Sequence, residues 1–413
     1  MVSTRRPCSV VVSFMLLGSA AAARAADGQD ASAAEVGALR QDLLALRQEY
    51  ERRLAELEAR LEALGLPAPA PSPPAPEPVP EPVVAVAAPP AGSKVFNPDI
   101  AVIGDFLGAA GRNSTPGAPP PLELHEAEAS FQASVDPYAR ADFFLAFSPE
   151  GAEIEEGFLT FPTLPGGLLL KVGKMRGGFG KVNTMHNHVL PWTDRPLVAE
   201  NLLGGEEGIS DSGLSLSKLV QNPVVFLEAT AEVYRGEDAV FDAPRRRDLS
   251  YVGRLRAYRD LTESTNLDVG GSFASGGNEN GPGFRTHLIG ADLAFRYRPL
   301  RRAIYRRFIA RSEMVWSRRE GPQGDANAFG MYASGEYQFA RRWFAGARYD
   351  DSDQASDPTL NDKGGSLILT YWPSEFSQIR GQYRYTHFGE GRTANEFLFQ
   401  FLFAIGAHGA HTF

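Results

Sequence analysis

Residues 173–198 read GKMRGGFGKVNTMHNHVLPWTDRPLV and gather the side chains of this chain best suited to chemistry. His186 and His188 stand one residue apart. Two imidazoles on a loop can hold a borderline metal ion if Asp194 or another ligand converges on them, and polar packing of the loop accounts for the pair as well. The glycines at 177, 178 and 180, followed by Lys181, suggest a loop that cradles phosphate. That motif, however, requires Gly where Met175 stands and Ser or Thr where Val182 stands. No nucleophile elbow and no ordered grouping of Ser, His and acid occurs elsewhere, so the sequence predicts neither an enzyme nor a cofactor.

The elements that must position this stretch follow from the rest of the chain. Residues 1–25 carry Arg5 and Arg6 ahead of an apolar run from Val10 to Ala23, with small residues at Ala23 and Ala25, the pattern of a secretory signal peptide. Cys8, the only cysteine, lies inside it, so no disulfide is expected in the secreted chain. Within 26–66, Val36, Leu39, Leu43, Leu46, Tyr50, Leu54, Leu57, Leu61 and Leu64 follow a heptad seam with one stutter, which predicts a coiled-coil helix and a homo-oligomer. One amphipathic helix without a partner would show the same seam. Residues 67–93 are so rich in proline that neither helix nor sheet can form, leaving a stiff spacer.

From 94 to 413 the recurring period is two. In the final run Phe397, Phe399, Phe401, Phe403 and Ile405 share one face while Gln400 lies on the other, as in a strand with one side in lipid and one in water. Sixteen such runs fall between 97–107 and 395–413, although fourteen or eighteen strands fit the same pattern. Tight joins (DPY, LPGG, VQNP, RDLTES, RPLRR, ARR, PSEF) alternate with longer loops. The expected fold is therefore all-β, a transmembrane antiparallel barrel of about sixteen strands in outer-membrane lipid, with both ends of the chain on the side of the tight turns.

Strand parity directs Arg140, Lys171, Arg254, Arg256, Arg296, Arg348, Arg380 and Arg384 into the lumen, together with Glu126, Glu128, Asp142, Glu228, Glu232 and Asp292. Charges of both signs would orient polar solutes there. The formal net charge of −9 argues against a nucleic-acid partner. Residues 177–208 form the longest connection and are too apolar to stand in solvent, so they are expected to fold inward and narrow the channel. Lys181, His186, His188, Asp194 and Arg195 would then meet passing solute. The glycines would let the chain leave its strand with φ > 0.

Gly173, Gly178, Gly180, Asn183, His186, His188, Asp194, Pro196, Leu197 and Val198, with Asn97-Pro98, Glu155-Glu156 and the ending GAHGAHTF, resemble a group of Gram-negative outer-membrane barrels. The chain is thereby similar to the phosphate-selective porins of the O and P type over 94–413. The resemblance implies sixteen strands, a trimer, an inward third external loop and a terminal Phe413 read by the assembly machinery. Some members are labelled zinc-regulated TonB-dependent outer membrane receptors. Such a receptor needs a plug domain and a barrel of about 22 strands, which a coiled coil, a spacer and the remaining length do not supply. The predicted function is passive diffusion of small polar or charged solutes. The alternatives are a metal-linked receptor and a structural tether reaching the cell wall through the coiled coil.

Overall fold

The computed structural model describes residues 98–406 apart from 117, 150 and 244, and, in a separate unit, the helical residues Gln41, Gln48, Glu49, Arg52 and Arg53. The signal, nearly all of the predicted heptad seam, the proline spacer, His408, His411 and Phe413 lie outside the described residues.

Sixteen antiparallel strands close into one barrel. They are β1 (Asp99–Asn113), β2 (Leu122–Asp136), β3 (Ala139–Ser148), β4 (Gly151–Leu164), β5 (Leu168–Arg176), β6 (Ser210–Val220), β7 (Phe226–Tyr234) and β8 (Ser250–Thr262). The second half comprises β9 (Thr265–Gly277), β10 (Arg285–Tyr297), β11 (Arg307–Arg319), β12 (Ala326–Ala340), β13 (Trp343–Asp353), β14 (Asn361–Ser374), β15 (Ser377–His387) and β16 (Thr393–Gly406). Each strand pairs with its sequence neighbours, and β16 closes on β1 in a register that sets Asp105 opposite Leu402 and Leu107 opposite Gln400. Closure leaves no free edge, so every strand satisfies its backbone groups on both sides. The seven tight joins all fall at one end of the barrel. β11 begins only at Arg307, because the chain turns between Arg298 and Arg306.

Alternation divides the two faces cleanly. Leu255, Ile289, Leu367, Leu369 and Phe397 point outward, each at least 47% exposed. Tyr138, Tyr297, Tyr337, Trp343 and Phe376 ring the outside near the tight turns, while Tyr251, Tyr349 and Tyr385 do so near the long loops. An apolar belt between two aromatic girdles is the outer surface that a bilayer selects. The inner face is polar, with Asp268, Glu313, Gln382 and Gln400 almost fully buried.

The hydrophobic core sits inside the barrel rather than between layers. Residues 177–209 turn inward and bury Phe179, Val182, Leu190, Trp192, Val198, Leu202, Leu203 and Ile209. A 3-10 turn, Asn187–Val189, and a short helix, α1 (Leu197–Leu202), give this loop its own structure. Pro196 precedes α1 and serves as its N-cap, where it denies the backbone a strand ladder without interrupting the helix. α1 packs on β11, β12, β13 and β14.

Candidate pore constriction

The inward loop is tied at its neck, its middle and its far side. At the neck, Gly177 N–H donates to Ile209 O at 2.8 Å, extending the β5–β6 ladder by one rung. The Asn183 amide donates to Gly177 O at 2.8 Å and Ile209 O at 3.0 Å, while its Oδ1 accepts from Ile209 N–H at 2.8 Å. One buried side chain thus fastens both ends of the loop together. Of the three predicted glycines only Gly180 has a left-handed backbone, at φ 60°. Gly177 and Gly178 do not, which corrects the expectation. Their place is fixed by the ladder bond and by Gly178 N–H donating to Glu232 Oε2 at 2.7 Å.

Past the neck, Glu313 of β11 accepts from the N–H groups of Lys181 and Val182, each at 3.2 Å. Lys181 Nζ reaches Asp268 and Asp292 at 3.0 and 3.2 Å, so this lysine bridges the loop to β9 and β10. The wall makes room for the loop's apolar groups where it carries no side chain. A Cβ at Gly290 would meet the Phe179 ring at 2.8 Å, and one at Gly330 would meet Val198 at 2.8 Å and Leu202 at 3.1 Å.

On the far side, Arg348 donates to Asp194 O at 2.8 Å and Asp194 Oδ1 at 2.9 Å, stacks 5.1 Å from the Trp192 ring, and pairs with Asp350. Arg384 holds the other Asp194 oxygen at 2.8 Å and also contacts Glu396. Gln382 accepts from Thr193 N–H and donates to Asp194, and Arg380 donates to Trp192 O. Burial raises the Asp194 pKa, but Arg348 and Arg384 overcome it and hold the carboxyl down at about 2.

A further anchor is acidic. His186 Nδ1 lies 2.8 Å from both Glu128 Oε2 and Glu155 Oε2, and its Nε2 lies 2.9 Å from Glu156 Oε2. Burial opposes a charge on this ring, yet the carboxylates of Glu128, Glu155 and Glu156 raise its pKa well above the usual imidazole value. His188 Nδ1 stands 3.6 Å from Glu128. Glu155 and Glu156, though adjacent, both reach inward because the β3–β4 register shifts there: Phe144 pairs with Glu156 and Leu145 with Ile154, leaving Glu155 as the extra residue of a bulge. A second shift sets Asp105 opposite Glu126 and Phe106 opposite Leu124, with His125 between them facing Glu206 of the loop at 3.5 Å.

Of the loop residues expected to meet solute, Asp194 and Arg195 border the larger of the two spaces beside the loop and His188 the smaller, whereas Lys181 and His186 border neither. Arg195 is 4% exposed and donates inside the loop to Asn187 Oδ1, Val182 O and Met185 O. His186 and His188 are buried against β2 and β4, and Lys181 and Asp194 are held in ion pairs. The eight predicted basic residues occupy the inner face. Arg140 pairs with Asp142, Lys171 lies over the Phe158 ring, Arg254 pairs with Asp292, and Arg256 and Arg296 approach Asp268.

Two spaces flank the loop. Toward the long loops a cavity of 1310 Å³ is bordered by Glu153, Glu200, Glu206, Asp211, Glu237 and Arg235 among others. Toward the tight turns a cavity of 110 Å³ is bordered by Arg307, Arg311, Arg380, Glu336 and the loop's Leu190 and Pro191. Sequence reasoning missed Asn183 as the neck fastener and Arg307 and Arg311 as the basic pair beneath the loop. Parity could have found the two arginines, which lie on the same face of β11 as Glu313.

No protein-family profile matches the chain. Among solved structures, the loop L8 deletion mutant of OmpT, an outer membrane protein of Vibrio cholerae, superimposes with a TM-score of 0.52 at 9% identity, covering 75% of this chain and all of that one. The anion-selective porin from Comamonas acidovorans gives 0.51 at 11% identity, over 75% of this chain and 99% of that one. Salmonella typhi OmpF gives 0.51 at 9% identity, over 76% and 98%. At these identities the likeness establishes the fold. In sequence, an uncharacterized protein of Aquifex aeolicus is 31% identical over 397 residues, 80% of this chain and 82% of that protein. The chain thus belongs to one family with that Aquifex protein, built on the closed sixteen-stranded barrel that it shares with porins.

Proposed function

We propose that the protein is a porin-like channel of a Gram-negative outer membrane, passing small charged solutes by diffusion past the constriction formed by residues 177–208. The observation that carries this reading is the loop itself, folded into a closed barrel, closed at its neck by Asn183 and fastened to the wall by Glu313, Arg348 and Arg384, with open space on both sides. A belt of outward apolar side chains between aromatic rings supports the membrane setting. A diffusive pore needs no catalytic constellation, so the reading carries no enzymatic step.

The field along the path supports a charged solute over a neutral one. Around the wider space carboxylates outnumber Lys174, Arg176, Arg195, Arg235 and Arg384, which favours cations, and around the narrower one Arg307, Arg311 and Arg380 outnumber Glu336 and Glu375, which favours anions. A solute would therefore cross from an acidic vestibule to a basic exit, an order that suits molecules bearing both charges. The phosphate selectivity implied by the resemblance would reside in the basic exit. The heptad seam of 26–66 supports self-association as a homo-oligomer, a trimer by the resemblance, and Phe413 is proposed as the assembly signal.

Purified protein in planar bilayers tests the reading. Replacing residues 184–196 by a short Gly-Ser link should raise single-channel conductance and relax selectivity. Silence from correctly folded, heat-modifiable wild-type protein would count against a pore and favour the tether.

A further inference from the structure

Glu126, Glu128, Glu155 and Glu156 meet His186 and His188 where the loop presses on β2 and β4, and the porin reading gives this cluster no task. Its chemistry is out of balance. Two carboxylate oxygens, from Glu128 and Glu155, lie 2.8 Å from the same Nδ1 of His186, which carries a single hydrogen to share between them. Glu126, Glu128, Glu155 and Glu156 share one guanidinium, that of Arg176, and the two imidazoles of the loop, while the nearby His125 is taken up by Glu206. Burying unbalanced negative charge away from water is costly unless a cation joins it.

Glu126 supplies the independent observation. It is 6% exposed, and its Oε1 has no hydrogen-bond partner. Ligand atoms of Glu126, Glu128 and His188 all lie within 4.8 Å of one another, as do those of Glu128, Glu155 and His186. A carboxylate that is buried and unpartnered, and set beside a second carboxylate and an imidazole, has the ligand types and spacing of a divalent-cation site.

We propose that Glu126, Glu128 and His188 bind one first-row divalent cation, which fastens the loop to β2. Glu155, Glu156 and His186 form the layer behind the ligands: His186 fixes Glu128 from one side, and Arg176, 2.9 Å from Glu155, fixes that carboxylate in turn. Mixed carboxylate and imidazole donors favour a borderline ion over Mg²⁺ or Ca²⁺, which prefer all-oxygen sites. Because His188 belongs to the loop and Glu126 and Glu128 to the wall, occupancy would set how firmly the constriction is held.

The test uses the full chain without any added histidine tag, folded in detergent, stripped with EDTA and titrated with Zn²⁺. Uptake of one high-affinity Zn²⁺ per chain is expected, with a rise in the heat-modification temperature. Glu126→Gln leaves the apo hydrogen bonds untouched and should weaken binding at least about tenfold, as should His188→Gln. Zn²⁺ uptake by the stripped wild type no greater than that of the Glu126→Gln/His188→Gln double variant would overturn the site. Should the double variant fail to fold, the wild type still decides: an unchanged heat-modification temperature with no uptake means that the carboxylates share protons only. Neither measurement depends on conduction, so the site and the pore reading can fail separately.

Discussion

Arg348 binds Asp194 twice, through the backbone carbonyl at 2.8 Å and through the carboxylate at 2.9 Å, so that one wall guanidinium fixes both the main chain and the side chain of the loop's tip. Arg348 keeps Asp350 and Arg384 keeps Glu396 if Asp194 is lost. Asp194→Ala should therefore weaken the anchor by about 1–3 kcal/mol without leaving a bare buried charge. Open-channel noise in bilayers should increase while barrel assembly stays normal.

The same anchor fixes a pH dependence. Asp194 in the folded protein titrates near 2, below its ordinary value of 3.8, since Arg348 and Arg384 outweigh its burial. A depressed carboxyl stabilises the anchored loop fully above the ordinary value and loses that contribution as pH falls toward 2. Channel noise attributable to the anchor, taken as wild type minus Asp194→Asn, should stay flat from neutral pH down to about 4 and change below it.

Gly330 marks where α1 rests on β12, and a side chain there would strike the Ser352 hydroxyl of β13 as well as Val198 and Leu202 of α1. Gly330→Val should displace the helix, cost about 1–3 kcal/mol and raise conductance. Gly365, with open space around its missing side chain, is the control, and Gly365→Ala should leave conductance unchanged. Equal conductance in both variants would show that α1 does not bound the path.

Arg307 and Arg311 border the cavity beneath the loop, with Arg307 over the Phe344 ring at 4.7 Å. Replacing both by Gln removes positive charge from the exit while leaving the loop's own anchors in place. The reversal potential in a salt gradient should shift toward cations. An unchanged potential would mean that the exit does not govern selectivity.

The barrel was legible because its information is periodic. Phe397 to Ile405 and Arg380 to Arg384 announce an outer and an inner face, and the tight turns count the strands. What period two cannot reveal is where the period breaks. Glu155 and Glu156 should face opposite ways, and only a bulge between β3 and β4 turns both inward. Nor does spacing show which partner a loop residue meets: Asp194 finds Arg348 and Arg384 more than 150 positions away. Lys181, His186 and Asp194 looked free because their partners belong to distant strands, whereas Arg195 is held within the loop.

The fastening at Asn183 separates two properties that would otherwise vary together. Because Gly177, Asn183 and Ile209 close the loop at its base, the barrel ladder continues from Arg176 to Ser210 as though the intervening residues were absent. Insertions or deletions beyond this closure would alter the free cross-section without disturbing strand register. A lineage carrying this arrangement can thus retune what it admits by changing a cassette, leaving the assembly of the wall untouched.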